Sequence, residues 1–409
     1  MKKILILNNN YFGDRLAGIS IRFYEIARAL SGDFQVTLAL SNIDEYKAQR
    51  SAGFSIESFK TESDIVNLMK RHDAVFTRGL NIINSKKLSR YDIPMIFDLL
   101  CPFFFENLEA DKDSPGNFNS SLKENIDLIN RLASRGDFFV CANENQRSFW
   151  LSALYKQKRI TVDIYRQDPS LNDLIDIVPF GLPTEKPFHS KNALKGAVKG
   201  IGANDKVVTW FGGLWDWLDP ISPISAMESL CKKRNDIKLV FIGIKHPDPR
   251  SKPHDIYAKV MEKAGSSGLL NKNIFFIDWV PYETRANYLL ESDIGIITHR
   301  ETLETKFSWR TRVLDYIWAG LPIVMTKGDP MSAIVENKSL GMTVDYNDPS
   351  SIEKAILKII DDEGFRQKTK DNLARMSKEY EWKNVVKPIA NFCKDPVRTS
   401  GTRSFLRFF

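Results

Sequence analysis

Two arginines, Arg310 and Arg312, stand in the segment FSWRTRVLDYIWAGLPIV (307–324), where a loop turns into an apolar helical pattern. The first N–H groups of a helix lack intrahelical partners and leave that end partly positive. A cation placed there costs roughly 0.3–1 kcal/mol at an exposed end. An anion between the guanidiniums and the N–H groups reverses that sign, and Arg suits phosphate because it binds two oxygens at once. Lys306 adds a point charge, and Ser308 is the expected N-cap. Asp315, one turn further in, is placed to accept hydrogen bonds from a ribose diol. The plainer account of the same residues is a helix pair between Arg312 and Asp315 with Arg310 solvated.

Further candidates follow other apolar runs. VVTWFGGLWDWLDP offers Gly212 and Gly213, where a backbone can approach a phosphate or simply turn tightly, and then Trp215, Trp217 and Asp219 as ligand contacts or core. FIGIKHPDPR places Lys245 and His246 after a strand, Lys245 as a base or phosphate contact and His246 as a turn residue; IDWVPYETR places Val280 at another strand end. Early in the chain, LNNNYFGDRLAGISIRF holds Gly13 and Gly18 around Asp14 and Arg15, with Arg22 in the helix that follows. It is not GxGxxG, so no dinucleotide cofactor is expected. FTRGLN offers Arg78 and Gly79, and FDLLCPFFFENLE offers Asp98 followed by Phe103–Phe105 and Glu106, the phenylalanines lining an acceptor pocket, touching lipid or packing as core. Asp-Lys-Asp at 111–113 is the one DxD-like triplet, in a polar stretch that reads as surface charge. Four scattered cysteines without CxxC or histidine spacing give no zinc site. No metal and no cofactor is expected.

The elements that must carry these residues are short apolar runs alternating with helical patterns, as in βα units. Strands are expected at 2–7, 34–40, 73–77, 94–100, 137–142 and 176–183, then at 206–214, 237–244, 273–280, 293–299, 321–326 and 341–346. Leu314, Ile317, Trp318 and Leu321 form the buried stripe of the helix before Gly320 and Pro322. The polar stretch 185–204 reads as a linker. The expected class is α/β, with two Rossmann-like domains of parallel sheets facing across a cleft: 1–190, 191–385, and a C-terminal segment 386–409 returning to the first. Ligands belong at the carboxyl ends of the strands. Net charge is +7, with 43% hydrophobic and 27% charged residues. Positive charge favours phosphorylated ligands, but no nucleic-acid motif accompanies it, and no nucleic-acid partner is expected. No apolar run reaches membrane-spanning length, and a cytoplasmic protein is expected, with the tail TRSFLRFF (402–409) suited to peripheral contact with an anionic membrane.

Together, GGLWDWLDP, HPDP, DWVPY and SWRTRVLDYIWAGLP resemble a divergent branch of the family-four retaining glycosyltransferases, which have the two-domain GT-B architecture. Registered on AGLP, the second glutamate of the family's acidic motif falls on Asp315, and the first falls on Phe307, with Glu304 the nearest replacement and Glu301 a more remote one. The family's Arg and Lys diphosphate contacts fall on Gly213 and Leu218, so that clamp is missing here, and its frequent histidine falls near Asp98. The resemblance implies metal-independent transfer of a sugar, with retention, from a nucleoside-diphosphate sugar to a glycan or lipid-linked acceptor, in surface polysaccharide or lipopolysaccharide synthesis. It implies Arg310, Arg312, Lys306 and Ser308 at the diphosphate, Asp315 at the ribose, Val280 at the base and Glu304 at the sugar, with Gly13 and Gly18 in a loop facing donor and acceptor. A nucleotide-sugar epimerase on the same fold and a non-catalytic glycan-binding or scaffold descendant are the alternative readings.

Overall fold

A computed structural model of the chain describes residues 1–12, 16, 18–41, 53–112, 115–244 and 254–399, with residues 115, 117 and 118 described by backbone alone. Gly13, Asp14, Arg15, Lys245, His246, Asp113 and the tail 402–409, all singled out above, lie outside the described residues. The chain divides into two compact units, Met1–Gly181 with Trp382–Phe409, and Leu182–Glu381.

The first unit is built on a parallel sheet of seven strands: β1 Lys3–Asn8, β2 Gln35–Leu40, β3 Ser55–Ser58, β4 Ala74–Thr77, β5 Met95–Asp98, β6 Phe138–Cys141 and β7 Ile175–Ile177. They are ordered β3-β2-β1-β4-β5-β6-β7. The second unit has six: β8 Lys206–Phe211, β9 Ile237–Ile242, β10 Ile274–Ile277, β11 Ile294–Ile297, β12 Ile323–Thr326 and β13 Gly341–Val344, ordered β10-β9-β8-β11-β12-β13. All the pairings are parallel. Central strands such as β4 and β11 are buried along their whole length, which is why they read as continuous apolar runs. In each sheet the order reverses once, between β1 and β4 and between β8 and β11. Such switch points are where loops part and ligands bind in this class of sheet.

The chain enters the second unit after Gly181 and leaves it before Trp382, rather than at 190/191 and 385/386. Packing sets both points. A Cβ on Gly181 would lie 2.5 Å from Trp382 Cδ2, and Phe180 lies 5.2 Å from the Trp382 ring. Beyond it, Phe392 stacks on Phe138 at 5.2 Å, within the first unit. The polar stretch 185–204 is not a linker but part of the second unit. Leu194 and Ile201 join the core beside Val207, Val240 and Phe275. The Glu291 carboxylate gathers the N–H groups of Ala193, Leu194 and Lys195.

Candidate functional site

The helix runs Thr311–Ala319, starting two residues later than an N-cap at Ser308 would place it, with Gly320 ending it in the left-handed region at φ 67°. Ser308 is not its N-cap. The segment Leu303–Phe307 forms a short helix of its own, and Ser308 ends it, its hydroxyl donating to Thr305 O. Arg310 takes the N-cap position without a capping side-chain bond. Lys306 is exposed in the last turn of the short helix.

The two arginines have different partners. Arg310 is buried and donates to both oxygens of Glu304, at 2.9 and 2.7 Å, and through Nε to Asp329 at 3.3 Å. Glu304 and Asp329 are themselves buried, and His299 lies 3.2 Å from Asp329. One buried guanidinium thus bridges two buried carboxylates. Both oxygens of Glu304 are engaged with Arg310, in place of the sugar contact expected of them.

Arg312 has no carboxylate partner among the described residues. Its Nη2 donates to Gly213 O at 2.9 Å, and its guanidinium lies over the Trp210 ring, 5.0 Å from the centroid. Nη1 is buried with no hydrogen-bond partner among the described residues. Burial pushes this guanidinium down to about 10, with Arg310 adding to the push and Tyr316 and Asp315 opposing it. An arginine in this state gains from an added anion. Gly212 makes room for it: at φ 131°, a Cβ here would lie 3.3 Å from Arg312 Cζ. Gly213 makes the same allowance for Trp215, whose Cζ2 would be 2.7 Å from such a Cβ. The two glycines are therefore filled by side chains of the second unit itself.

Tyr316, one turn beyond Arg312, explains why the helix sits at this place. β8 and β11 pair only at Ile294↔Val208 and Gly295↔Thr209. Past that point the Tyr316 hydroxyl accepts from Phe211 N at 3.0 Å and lies 3.1 and 2.9 Å from Thr209 O and Ile296 O, so that it serves both strands. Gly295 leaves room for its ring. Tyr316→Phe removes the partner of buried backbone groups, and unit 2 should lose about 1–3 kcal/mol, read as a lower denaturant midpoint. The tyrosine thus holds the helix at the switch point of the second sheet, with Arg312 on the same face.

Asp315 completes that face. Its Oδ1 accepts from Arg285 Nε at 3.2 Å, while Oδ2 has no partner among the described residues. Arg285 is itself held: its guanidinium lies 3.6 Å from the Tyr282 ring and 4.2 Å from the Trp318 ring, and Nη1 donates to Tyr282 O at 2.7 Å. Burial raises the Asp315 carboxyl above its usual range, and Arg285 and Arg312 pull the other way. Val280, buried at the start of the loop that leads to Tyr282, belongs to the core beside Phe275. Nearby, Trp215 and Trp217 stack at 5.8 Å, and His254 sets its edge against both while bonding Asp216 at 2.7 Å. Asp219 Oδ1 accepts from Ser222 N at 3.1 Å, binding the start of the following helix. The sequence reading missed Arg285, Tyr316, Asp329 and His254. Only Arg285 carried a signal, an arginine three residues after Tyr282.

In the first unit, Asp98 ends β5 and is fully enclosed. Its two oxygens accept from Arg22 Nε at 2.7 Å and Nη2 at 3.1 Å, and Arg22 also donates to Val178 O and Pro179 O. Both side chains have no exposed surface, which makes this a tie between the first helix and the sheet rather than a reactive carboxylate. Asp98→Asn should destabilise the first unit by about 3–5 kcal/mol, since it leaves a buried guanidinium uncompensated; a thermal transition like wild type would contradict that. Gly18 opens the helix Gly18–Leu30, with nothing within 4 Å of where a Cβ would stand. Phe103–Phe105 are half-buried; Phe104 and Phe105 pack with Phe149, and Phe103 with Phe104.

The stretch that holds Arg312, Asp315, Val280 and the paired glycines is also the part that matches a known family. Residues 199–376 match the family described as glycosyl transferases group 1. The whole chain has the GT-B fold of such enzymes. It superposes on the Anabaena protein HepE in complex with UDP and glucose with a TM-score of 0.69 at 14% identity, covering 97% of this chain and 100% of that one. Sucrose-phosphate synthase from Thermosynechococcus elongatus matches with a TM-score of 0.64 at 9% identity, over 96% and 98% of the two chains. WaaG, a glycosyltransferase involved in lipopolysaccharide biosynthesis, matches with 0.62 at 13%, over 96% and 100%. No curated protein sequence matches. Among the described residues no helix is long and apolar enough to cross a membrane, and no three His, Cys, Asp or Glu side chains gather as a metal site.

Proposed function

We propose that the protein is a retaining glycosyltransferase of family four. It takes a sugar from a nucleoside-diphosphate donor and passes it to a glycan or lipid-linked acceptor in surface polysaccharide or lipopolysaccharide synthesis. The observation that carries the donor site is Arg312. It is a half-buried arginine whose enclosed Nη1 has no hydrogen-bond partner among the described residues, at the first turn of a helix anchored to the switch point of the region that matches group 1 glycosyl transferases. A related fold holds UDP-glucose in HepE. In this reading Arg312 replaces the missing clamp and takes the diphosphate, Asp315 takes the ribose, and the loop after Val280 meets the base. Arg310 and Glu304 hold each other and shape the segment before the helix.

Transfer breaks the bond between the anomeric carbon and the diphosphate oxygen, and negative charge grows on the leaving group. A cation already desolvated at that oxygen stabilises the growing charge more than it stabilises the ground state. The test is a panel of UDP-, GDP- and dTDP-sugars offered without acceptor, with released sugar followed by NMR. One base class should be hydrolysed slowly, and the first product should keep the donor's anomeric configuration. An inverted product overturns retention, and no binding of any donor overturns the reading.

Arg285 should act through Asp315. It pins one carboxylate oxygen and leaves the other to the ribose. Arg285→Ala is expected to weaken UDP or GDP binding about tenfold while hardly changing binding of the 2′-deoxy analogue. Binding through an ionised Asp315 weakens as pH falls through its raised pKa. Without Arg285 that loss begins at a higher pH. Equal losses for ribo- and deoxyribonucleotide would show that Arg285 is only structural.

A further inference from the structure

The first unit has unpartnered polar groups of its own, at the switch point between β1 and β4. Leu7 and Thr77 are partners in the parallel register, so Asn8, the last residue of β1, stands beside Arg78, the first residue after β4. Asn8 is completely buried. Its Oδ1 accepts from Asn10 N at 3.0 Å and Asn10 Nδ2 at 3.1 Å. A backbone N–H can only donate, which fixes the orientation of the Asn8 amide and makes Nδ2 the outward donor. That Nδ2 is buried without a hydrogen-bond partner among the described residues, and so is Asn9 Oδ1 in the next residue. Buried amide groups are rarely left so. Arg78 is half-buried and also has no hydrogen-bond or ion-pair partner among the described residues. The one carboxylate at a neighbouring strand end, Asp98 on β5, spends both oxygens on Arg22. A guanidinium and an amide donor therefore belong to neighbouring strand ends, neither with a partner among the described residues.

We infer that Asn8 and Arg78 form a second binding site, for an anionic oxygen group such as a phosphate or carboxylate. On the reading of the second unit as the donor side, that group belongs to the acceptor. An acceptor carrying a phosphate or an acidic sugar fits these groups, and a neutral glycan does not. Charge-assisted contacts from Arg78, with the Asn8 amide beside it, set its position.

The test uses the full chain and inorganic phosphate as probe, with acetate as the carboxylate arm. Arg312→Ala removes the donor-side guanidinium, so binding that persists in it reports the second site. Phosphate or acetate should bind Arg312→Ala, and adding Arg78→Ala should weaken it at least about tenfold. Arg78→Lys should restore part of it. Unfolding temperatures of the Arg78 variants should match wild type, since no protein partner is lost. Affinity for UDP or GDP should be the same in Arg78→Ala alone as in wild type. Anion binding indifferent to Arg78 overturns the site. A matching loss of UDP or GDP affinity in Arg78→Ala alone gives the arginine to the donor and overturns the acceptor assignment. If neither nucleotide binds wild type while the Arg78-dependent anion does, the donor reading fails and the site stands.

Discussion

Arg312→Ala is expected to weaken UDP or GDP binding by roughly 10- to 100-fold, the range for losing a hydrogen bond to a charged group. Donor turnover should fall by at least as much, because the contact grows stronger as the leaving group gains charge. Stability should not follow. Arg312 is a half-buried cation whose contacts among the described residues are a carbonyl and an aromatic face, with no carboxylate. Replacing an uncompensated charge with an apolar chain of similar length removes a desolvation cost. Arg312→Met should therefore unfold at a temperature no lower than wild type while binding nucleotide as poorly as the alanine variant. Calorimetric titration and thermal unfolding of the same two variants check both halves. A drop of several degrees in Arg312→Met with nucleotide affinity intact would make this arginine structural.

Arg310→Ala should behave in the opposite way. Removing it leaves Glu304 and Asp329 buried without the guanidinium they share. Breaking a buried pair from one side typically costs about 3–5 kcal/mol, and two carboxylates share this guanidinium. The second unit should melt at a clearly lower denaturant concentration. Arg310→Met combined with Glu304→Leu should recover part of the loss, because only one buried carboxylate then remains unpaired. The chain has two units, so the measurement is best made by hydrogen exchange of the strands β8 and β11 rather than from one global transition. If Arg310→Ala instead abolishes nucleotide binding at unchanged stability, the roles of the two arginines are reversed.

The difference between these arginines was not legible in the sequence. Both sit where a helix start disfavours positive charge, and local spacing offered Asp315 as the pairing partner of Arg312. Arg310 instead answers Glu304, off any helical spacing in the short helix before it, and Asp329 in the next βα unit, while Arg312 answers Gly213, far earlier in the chain. Partners so distant in sequence leave no periodic trace. The two sheets were legible because buried parallel strands are unbroken apolar runs. β3, Ser55–Ser58, was not, because an edge strand carrying Ser-Ile-Glu-Ser shows no such run. The stretch 185–204 misled for a related reason: its polarity suggested a linker, while Leu194, Ile201 and the N–H groups gathered by Glu291 fasten it to the second unit. Asp98 was legible as a polar residue at a strand end, but whether such a carboxylate meets substrate or a buried arginine depends on the helix packed over it.

A crystal structure of the full chain with bound UDP or GDP tests the central claim most directly. The account predicts a diphosphate oxygen within hydrogen-bond distance of Arg312 Nη1, with the ribose hydroxyls on Asp315 Oδ2 and Arg310 still bound to Glu304. A diphosphate bound elsewhere, with Arg312 Nη1 still lacking an anion, would contradict it.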